Sequence, residues 1–352
     1  MIFLSLSLEI DRQNNSILTR ATFCRLFRLL SIFSFQKVMN LFRLYGSFYF
    51  SRITRKAVHW GMPWSISIEP TTACNLSCPE CPSGLKKFTR PTGNMSFENF
   101  KIIIDRQSKY LIWLILYFQG EPFLNTHFFE FVRYAKKKRI FTTTSTNGHY
   151  LSKSLAQKTV ESGLDQLIIS LDGLDSATYK KYRIGGNFEK VMDGIKNLVE
   201  AKKAAKVNHP YLIVQFIVFK SNEHQIKEVK RLKNELDVDK VELKTAQFYD
   251  FEQGKDLMTS LNQFSRYAET ESGQYKIKNR LKNRCLRMWQ GNVVTWDGDV
   301  VPCCYDKDAE HRFGNLISTD FQTIKSGEKY KTFRQQILNE RAQIDICKNC
   351  PE

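Results

Sequence analysis

Three cysteines lie close together in one short stretch, and their spacing favours an iron–sulfur cluster. Cys74, Cys78 and Cys81 are separated by three and then two residues, in a segment that follows a predicted strand. Structural zinc sites usually have four protein ligands. A cubane [4Fe–4S] cluster can instead be held by three thiolates, which leaves the fourth iron open to a substrate or cofactor. The trio therefore predicts a cluster of this kind.

A second group of cysteines lies near the end of the chain, at Cys285, Cys303, Cys347 and Cys350. Asp297 and Gly298 lie between two apolar runs, which predicts a hairpin that brings Cys303 back towards Cys285. Four thiolates make a closed site, which suits structural zinc and an iron–sulfur cluster equally well. Cys304 is left over, and we interpret it as a small buried residue.

The region between the two groups alternates between strand-like and helix-like patterns. The predicted strands cover residues 65–68, 111–118, 140–144, 166–171, 211–219 and 240–244. The predicted helices cover residues 96–109, 127–138, 152–162, 176–182, 188–205 and 223–236. Such alternation indicates an α/β fold with a parallel sheet. Six units are too few for a closed eight-stranded barrel.

Polar residues follow the predicted strands, at the edge where parallel strands end together. They are Gly120 and Glu121 after the second strand, Asn147 after the third, Ser170 and Asp172 after the fourth, and Arg183 further on. Each has an ordinary explanation, because Gly-Glu-Pro and Asn-Gly are common turns and Asp172 is a plausible helix N-cap.

Together these motifs resemble the radical S-adenosylmethionine (radical SAM) superfamily, and the C-terminal cysteines resemble its SPASM or shorter twitch domain. The resemblance covers about residues 60–350 and implies a partial (β/α)6 TIM-type barrel with a small cysteine-rich α+β domain. In that family the open iron of the three-cysteine cluster binds S-adenosylmethionine. Its reductive cleavage gives a 5′-deoxyadenosyl radical, which abstracts hydrogen from a substrate.

The resemblance also implies roles for individual residues. Gly120 and Glu121 would receive the cofactor's amino group, and Ser170 and Arg183 its carboxylate and ribose, with Asn147 and Asp172 nearby. The four C-terminal cysteines would hold one auxiliary [4Fe–4S] cluster. Two positions depart from the family pattern: Glu80 replaces a common aromatic residue, and Cys304 replaces the aspartate base of sulfatase-maturing relatives, which argues against that activity.

The chain has a formal net charge of +17, and its basic residues are dispersed rather than interleaved with aromatic ones. We therefore expect no nucleic-acid partner. Residues 1–38 do not resemble part of the domain. They are either a wrongly assigned start, with Met39 as the true one, or a basic amphipathic arm in peripheral contact with a membrane.

We expect four segments, at residues 1–58 (N-terminal extension), 59–246 (barrel), 247–284 (linker or lid) and 285–352 (auxiliary cluster domain). The expected activity is an oxidoreductase in the cytoplasm that oxidises a small sugar- or alcohol-like molecule or modifies a peptide. Its electron donor would be a flavodoxin or ferredoxin. The alternative is a non-catalytic iron–sulfur or zinc protein that binds nucleic acid through its basic surface.

Overall fold

A computed structural model describes residues 20–248, 254–271 and 275–350. Six parallel strands lie side by side in chain order. They are β1 (Ser65–Ile68), β2 (Trp113–Ile115), β3 (Phe141–Thr146), β4 (Gln166–Ser170), β5 (Tyr211–Val218) and β6 (Lys240–Thr245). This order confirms the predicted partial barrel. The buried strand β4 has the continuous apolar character of a strand covered on both faces.

Helices connect the strands and cover the sheet. In chain order they are α1 (Arg20–Leu30), α2 (Phe35–Thr54), α3 (Pro82–Leu85), α4 (Phe97–Gln107), α5 (Phe128–Lys137), α6 (Lys153–Ser162), α7 (Ser176–Tyr182), α8 (Phe188–Ala204) and α9 (Ile226–Glu235). The predicted N-cap is confirmed, because Ser96 accepts a hydrogen bond from the Asn99 amide. Such a cap satisfies one of the free amides of the first turn.

The C-terminal region extends the barrel sheet beyond β1. Strand β9 (Gly291–Val294) pairs in parallel with β1, and β10 (Asp299–Val301) returns antiparallel to β9 and pairs with β11 (Gly314–Asn315). Gly298 has a φ of +93° in the turn, which confirms the predicted hairpin. The remaining elements are α10 (Arg287–Gln290), α11 (Phe321–Ser326), α12 (Glu328–Glu340) and a separate hairpin of β7 (Tyr267–Glu269) with β8 (Tyr275–Ile277).

The N-terminal helices differ from the expectation that residues 1–38 lie outside the domain. Leu29 and Ile32 are buried in the main hydrophobic core, and the Lys37 ammonium donates to the Arg139 carbonyl over 2.9 Å. Helices α1 and α2 thus cover the end of the barrel where the strands begin. Residues 1–19 lie outside the described residues. Among the described helices, none has both the length and the apolar character needed to cross a bilayer.

The buried Asp165 carboxylate joins α1 to the start of the sheet. It accepts hydrogen bonds from the Arg28 guanidinium at 2.9 Å and from the Thr142 amide at 2.9 Å.

We expect Asp165→Ala to lower the free energy of unfolding by about 1–3 kcal/mol, because a buried amide loses its acceptor. Urea unfolding of the anaerobic protein measures this. The control is Lys203→Ala, which removes an exposed ion pair with Asp237 and should change the stability little. Equal effects of both variants would contradict the assignment.

Candidate active site

The loop that carries the first three cysteines leaves the carboxyl end of β1 and is fixed to neighbouring segments. Thr71 forms an isolated antiparallel bridge with Asn94, and the Met95 amide donates to the Pro70 carbonyl. The buried Asn125 side chain donates to the carbonyls of both Pro70 and Met95, at 2.6 and 2.9 Å. The loop therefore begins from a fixed position at the top of the barrel.

Two glycines allow other backbone segments to approach this loop closely. Gly120, with a φ of +72°, lies so near the loop that a Cβ atom would stand 2.3 Å from the Thr71 carbonyl oxygen. A Cβ atom on Gly84 would stand 2.8 Å from the Cys78 nitrogen. Next to Gly120, the Glu121 amide donates to the Ala73 carbonyl over 2.7 Å. The end of β2 thus supports the loop through backbone contacts.

The three thiols lie together, and no disulfide joins any cysteine within the described ranges. Burial raises the pKa of Cys74 to about 11. Burial likewise raises the pKa of Cys78, although Arg183 opposes the shift. No three His, Cys, Asp or Glu side chains of the described residues stand where one metal ion could bind them all. A cubane does not need such a point, because each thiolate binds a different iron.

The Glu121 carboxylate is buried and connects the ends of β2 and β3. It accepts hydrogen bonds from the Thr146 hydroxyl at 2.7 Å and from the Asn147 amide at 2.8 Å. Burial raises the pKa of Glu121 to about 7, and these donors offset only part of that effect. The Asn147 side chain in turn donates to the Asn75 side chain in the cysteine loop over 2.8 Å. Glu121 and Asn147 therefore lie beside the cysteine loop, as their positions after β2 and β3 predicted.

Ser170 ends β4 and is 8% exposed. It lies in register with Gln215 on β5, at the edge of the barrel that carries the cysteine loop. Its hydroxyl has no hydrogen-bond partner within the part of the chain that the structure describes. Ser170 thus offers a free donor and acceptor at the top of the barrel.

Asp172 and Arg183 form a buried ion pair beside Cys78. The guanidinium contacts the carboxylate at 2.6 Å and reaches the Cys78 sulfur at 3.8 Å. Burial alone would lower the pKa of Arg183, but Asp172 and Cys78 raise it well above its usual range. The N-cap suggested for Asp172 is wrong, because Asp175 caps helix α7 by accepting from the Thr178 amide.

A shell of apolar and aromatic side chains surrounds the cysteine loop. Tyr182 packs against Phe219 with a centroid distance of 4.2 Å and an interplanar angle of 33°, and both belong to one cluster with Leu76. Phe248 and Tyr267, from the segment predicted as a linker or lid, belong to the same cluster. The described part of that segment thus covers the loop and limits the access of water.

The C-terminal cysteines surround a buried arginine. The Arg341 guanidinium donates to the Cys350 sulfur at 3.1 Å. Burial alone would lower the pKa of Arg341, but Cys285, Cys350 and Cys347 together raise it. Cys303 lies close enough to Cys285 for the two thiols to influence each other, as the hairpin predicted. No sequence pattern marked Arg341, since its approach to Cys350 depends on how the turn that follows helix α12 packs.

Cys304 differs from the interpretation as a small buried residue. Its side chain is exposed, and its sulfur accepts from the Arg287 guanidinium at 3.7 Å. The backbone after the hairpin explains the difference. Strand β10 ends at Val301, and Cys304 lies in the turn that follows, where its side chain is exposed to solvent.

A cavity of about 650 Å³ lies between the two cysteine groups. Glu80 and Cys81 line one side, and Asp345, Ile346, Lys348 and Asn349 line the other. Lys307 also lines it, and burial lowers the pKa of Lys307 to about 8 against the opposing effects of Cys81 and Glu80. Asn349 contacts the shell as well, because the Tyr267 hydroxyl donates to its side chain at 3.0 Å. Cys81 therefore borders this space directly, and the C-terminal group borders it through the sequence neighbours of Cys347 and Cys350.

Two family models match the chain in the regions of these two groups. Residues 68–232 match the radical SAM superfamily, and residues 285–351 match the iron–sulfur cluster-binding SPASM domain. The chain is a radical SAM enzyme with a SPASM domain. As such, it binds S-adenosylmethionine with a [4Fe–4S] cluster and carries an auxiliary iron–sulfur cluster. The described thiols, which no disulfide joins, the close backbone approach at Gly120 and the free Ser170 hydroxyl fit these groups. The non-catalytic alternative is excluded.

Curated relatives include proteins with different targets. The chain is 27% identical, over 80% of its length and 86% of the relative's, to the tungsten-containing aldehyde ferredoxin oxidoreductase cofactor-modifying protein of Pyrococcus furiosus. It is 23% identical, over 76% and 72% of the two lengths, to the PqqA peptide cyclase of Rhodopseudomonas palustris. Among solved structures, SuiB of Streptococcus suis bound to S-adenosylmethionine superposes with a TM-score of 0.61 at 14% identity, covering 82% of this chain and 72% of that one. That similarity supports the fold.

The close approach at Gly120 leads to a prediction about cluster loading. A methyl group at this position would collide with the Thr71 carbonyl and adopt an unfavourable positive φ. We expect Gly120→Ala to lose about four irons per chain on anaerobic reconstitution, because the three-cysteine loop is displaced. The matched control is Gly46→Ala, where the new methyl group would make an ordinary 3.6 Å contact with the Trp60 ring. Full iron content in Gly120→Ala would show that the loop tolerates the displacement.

The buried Glu121 predicts a pH-dependent contribution to stability. A carboxyl whose pKa is about 7 in the folded protein, against 4.5 unfolded, stabilises the fold when protonated. This contribution is complete below about pH 4.5 and is lost as the pH rises to about 7. The quantity to measure is the difference between the free energies of unfolding of the wild type and of Glu121→Gln. This difference should fall by on the order of 3 kcal/mol between about pH 5 and about pH 8. Urea unfolding without S-adenosylmethionine measures it, and a constant difference would contradict the shift.

Proposed function

We propose that this radical SAM enzyme oxidises a small polar molecule, and that its auxiliary [4Fe–4S] cluster accepts the electron of the substrate radical. When bound, S-adenosylmethionine and the first cluster would supply a radical that takes one hydrogen atom from a carbinol carbon, and the auxiliary cluster would accept the remaining electron. One proton would leave to solvent, and a carbonyl would result. The observation that carries the proposal is the cavity that Cys81 lines on one side and the neighbours of Cys347 and Cys350 line on the other.

The first cluster is assigned to Cys74, Cys78 and Cys81, and the auxiliary cluster to Cys285, Cys303, Cys347 and Cys350. The support is that each group lies together in the structure and has a buried arginine in contact with one of its sulfurs, at Cys78 and at Cys350. These cations offset part of the negative charge that ligated thiolates carry into a buried site.

The S-adenosylmethionine contacts are assigned to Gly120, Glu121, Asn147, Ser170 and Arg183, with Asp172 as the residue that orients Arg183. Glu121 is suited to an ammonium group, because a buried carboxylate gains from a charge-assisted hydrogen bond. The Ser170 hydroxyl has its hydrogen-bonding capacity available. The 2.6 Å contact with Asp172 fixes the direction of the Arg183 guanidinium.

The cavity favours a small polar substrate over a large one. Its volume of about 650 Å³ is in the range of small-molecule sites, and eight of its sixteen lining residues are charged, with Glu80, Asp308, Lys87 and Lys307 among them. A sugar or other polyol would find both donors and acceptors there. One residue of a peptide would also fit in this volume. Because the chain is similar to a peptide cyclase, a peptide is the second candidate substrate.

A reductant and a compartment complete the proposal. Cleavage of S-adenosylmethionine consumes one electron, for which we propose a flavodoxin or ferredoxin as donor. The exposed Cys304 and the absence of disulfides among the described cysteines suit a reducing compartment such as the cytoplasm. We also propose domain boundaries near residues 59, 246 and 285, which separate the N-terminal extension, the barrel, the linker or lid, and the auxiliary cluster domain.

Iron content and cofactor cleavage test the cluster assignments together. After anaerobic reconstitution, we expect about eight irons per chain in the wild type and about four in Cys347→Ala/Cys350→Ala. Reduction in the presence of S-adenosylmethionine should give 5′-deoxyadenosine in both proteins, since the first cluster remains. A deuterated polyol should transfer deuterium to 5′-deoxyadenosine in the wild type, and the carbonyl product should form in the wild type alone.

The control for these cysteine variants is Cys304→Ala, which should keep about eight irons because Cys304 is outside both groups. Retained 5′-deoxyadenosine formation shows that the double variant is folded. About four irons in both the wild type and the double variant would assign zinc, or no metal, to the C-terminal cysteines and would remove the electron acceptor from the proposal.

A further inference from the structure

Exposed apolar side chains are concentrated near the N-terminus of the described chain. Of the thirteen large hydrophobic residues that are exposed among the described residues, ten lie between residues 23 and 60. Isolated exposed apolar residues are ordinary on a protein surface, but a contiguous patch usually marks an interaction site. The N-terminal helices therefore carry a surface that needs an explanation.

Helix α2 has two apolar faces. Leu44 and Phe48 are buried against the barrel, whereas Phe35, Phe42 and Ile53 point outward with 80%, 69% and 83% of their surface exposed. The outward residues are separated by whole numbers of helical turns, so they form one stripe. On α1 the outward stripe consists of Phe23, Phe27 and Leu30, at spacings of four and three residues. We call these two stripes together the outer face.

The charged residues of the segment that carries the outer face all have one sign. Residues 12–68 contain nine lysines and arginines and no aspartate or glutamate. Arg20, Arg43 and Lys56 are exposed, and Trp60 packs against Phe50 at a centroid distance of 5.3 Å near the end of α2. Basic residues and aromatic rings beside an apolar stripe are typical of segments that lie in a membrane interface.

The outer face lies at the end of the barrel opposite the cysteine loops. Helix α1 contacts residues near the starts of the strands, as the ion pair of Arg28 with Asp165 shows, and Asn40 on α2 bonds to Met62 just before β1. The cysteine loop follows the carboxyl end of β1. A surface bound to the outer face therefore leaves the cavity between the cysteine groups accessible.

We propose that the outer face of α1 and α2 binds the surface of an anionic lipid membrane, with its aromatic side chains inserted among the headgroups. Charge complementarity selects this occupant over a second copy of the chain. In a two-fold dimer the same patch meets itself, so the basic residues of α1 and α2 would face like charges. The proposal concerns anchoring and is independent of the substrate.

Vesicle binding by the full-length, cluster-loaded protein tests this proposal. We expect flotation with vesicles that contain about 30% phosphatidylglycerol, and at least about tenfold weaker binding to pure phosphatidylcholine, because each basic residue near an anionic surface contributes about 1 kcal/mol. Phe35→Ser/Phe42→Ser/Ile53→Ser and Arg43→Ser/Lys56→Ser should each weaken binding to the anionic vesicles at least about tenfold. Unchanged iron content and 5′-deoxyadenosine formation would show that both variants are folded.

The matched control is Ile102→Ser, which removes an exposed apolar side chain on α4 and should bind like the wild type. No binding by the wild type, or equal binding to neutral vesicles, would overturn the proposal. A wild-type dimer that the triple variant converts to a monomer, without vesicle binding, would assign the outer face to a contact between copies.

Discussion

The contact between the end of β2 and the first cysteine loop is the constraint on which the site depends. Gly120 lets two backbones approach to a distance that no side chain permits, and the adjacent Glu121 amide bonds to the loop. The Glu121 carboxylate then fixes the end of β3 through the Thr146 hydroxyl and the Asn147 amide. One dipeptide therefore sets the relative positions of three strand ends.

Buried charge is handled in the same way at both cysteine groups. Arg183 reaches Cys78 while paired to Asp172, and Arg341 reaches Cys350 while its guanidinium also donates to the Arg284 carbonyl at 2.6 Å. A charge removed from water is tolerated when it is paired and hydrogen-bonded. Each arginine is held by such a partner, so its position does not depend on the sulfur alone.

The sequence was informative wherever a pattern is local. Alternating apolar runs located all six barrel strands, and Ser96 and the Asp297–Gly298 turn were recognised from their own side-chain chemistry. It was not informative where packing decides. Helix α2 is apolar on two sides, so no amphipathic signal separated the core-facing side from the exposed one. Asp172 looks like a cap in sequence, but its partner Arg183 becomes apparent only when α7 folds back on the sheet.

Strand β9 lies in parallel beside β1, although the whole barrel separates them in sequence. During synthesis, β1 and its barrel neighbours emerge well before β9 is available. Until Gly291–Val294 arrives, the outer edge of β1 presents unpaired backbone groups to other chains. The C-terminal segment is thus more than a module attached for its cluster, since it completes the edge of the first strand. The edge of β1 must therefore be kept from pairing with other chains until the last fifth of the sequence has been made.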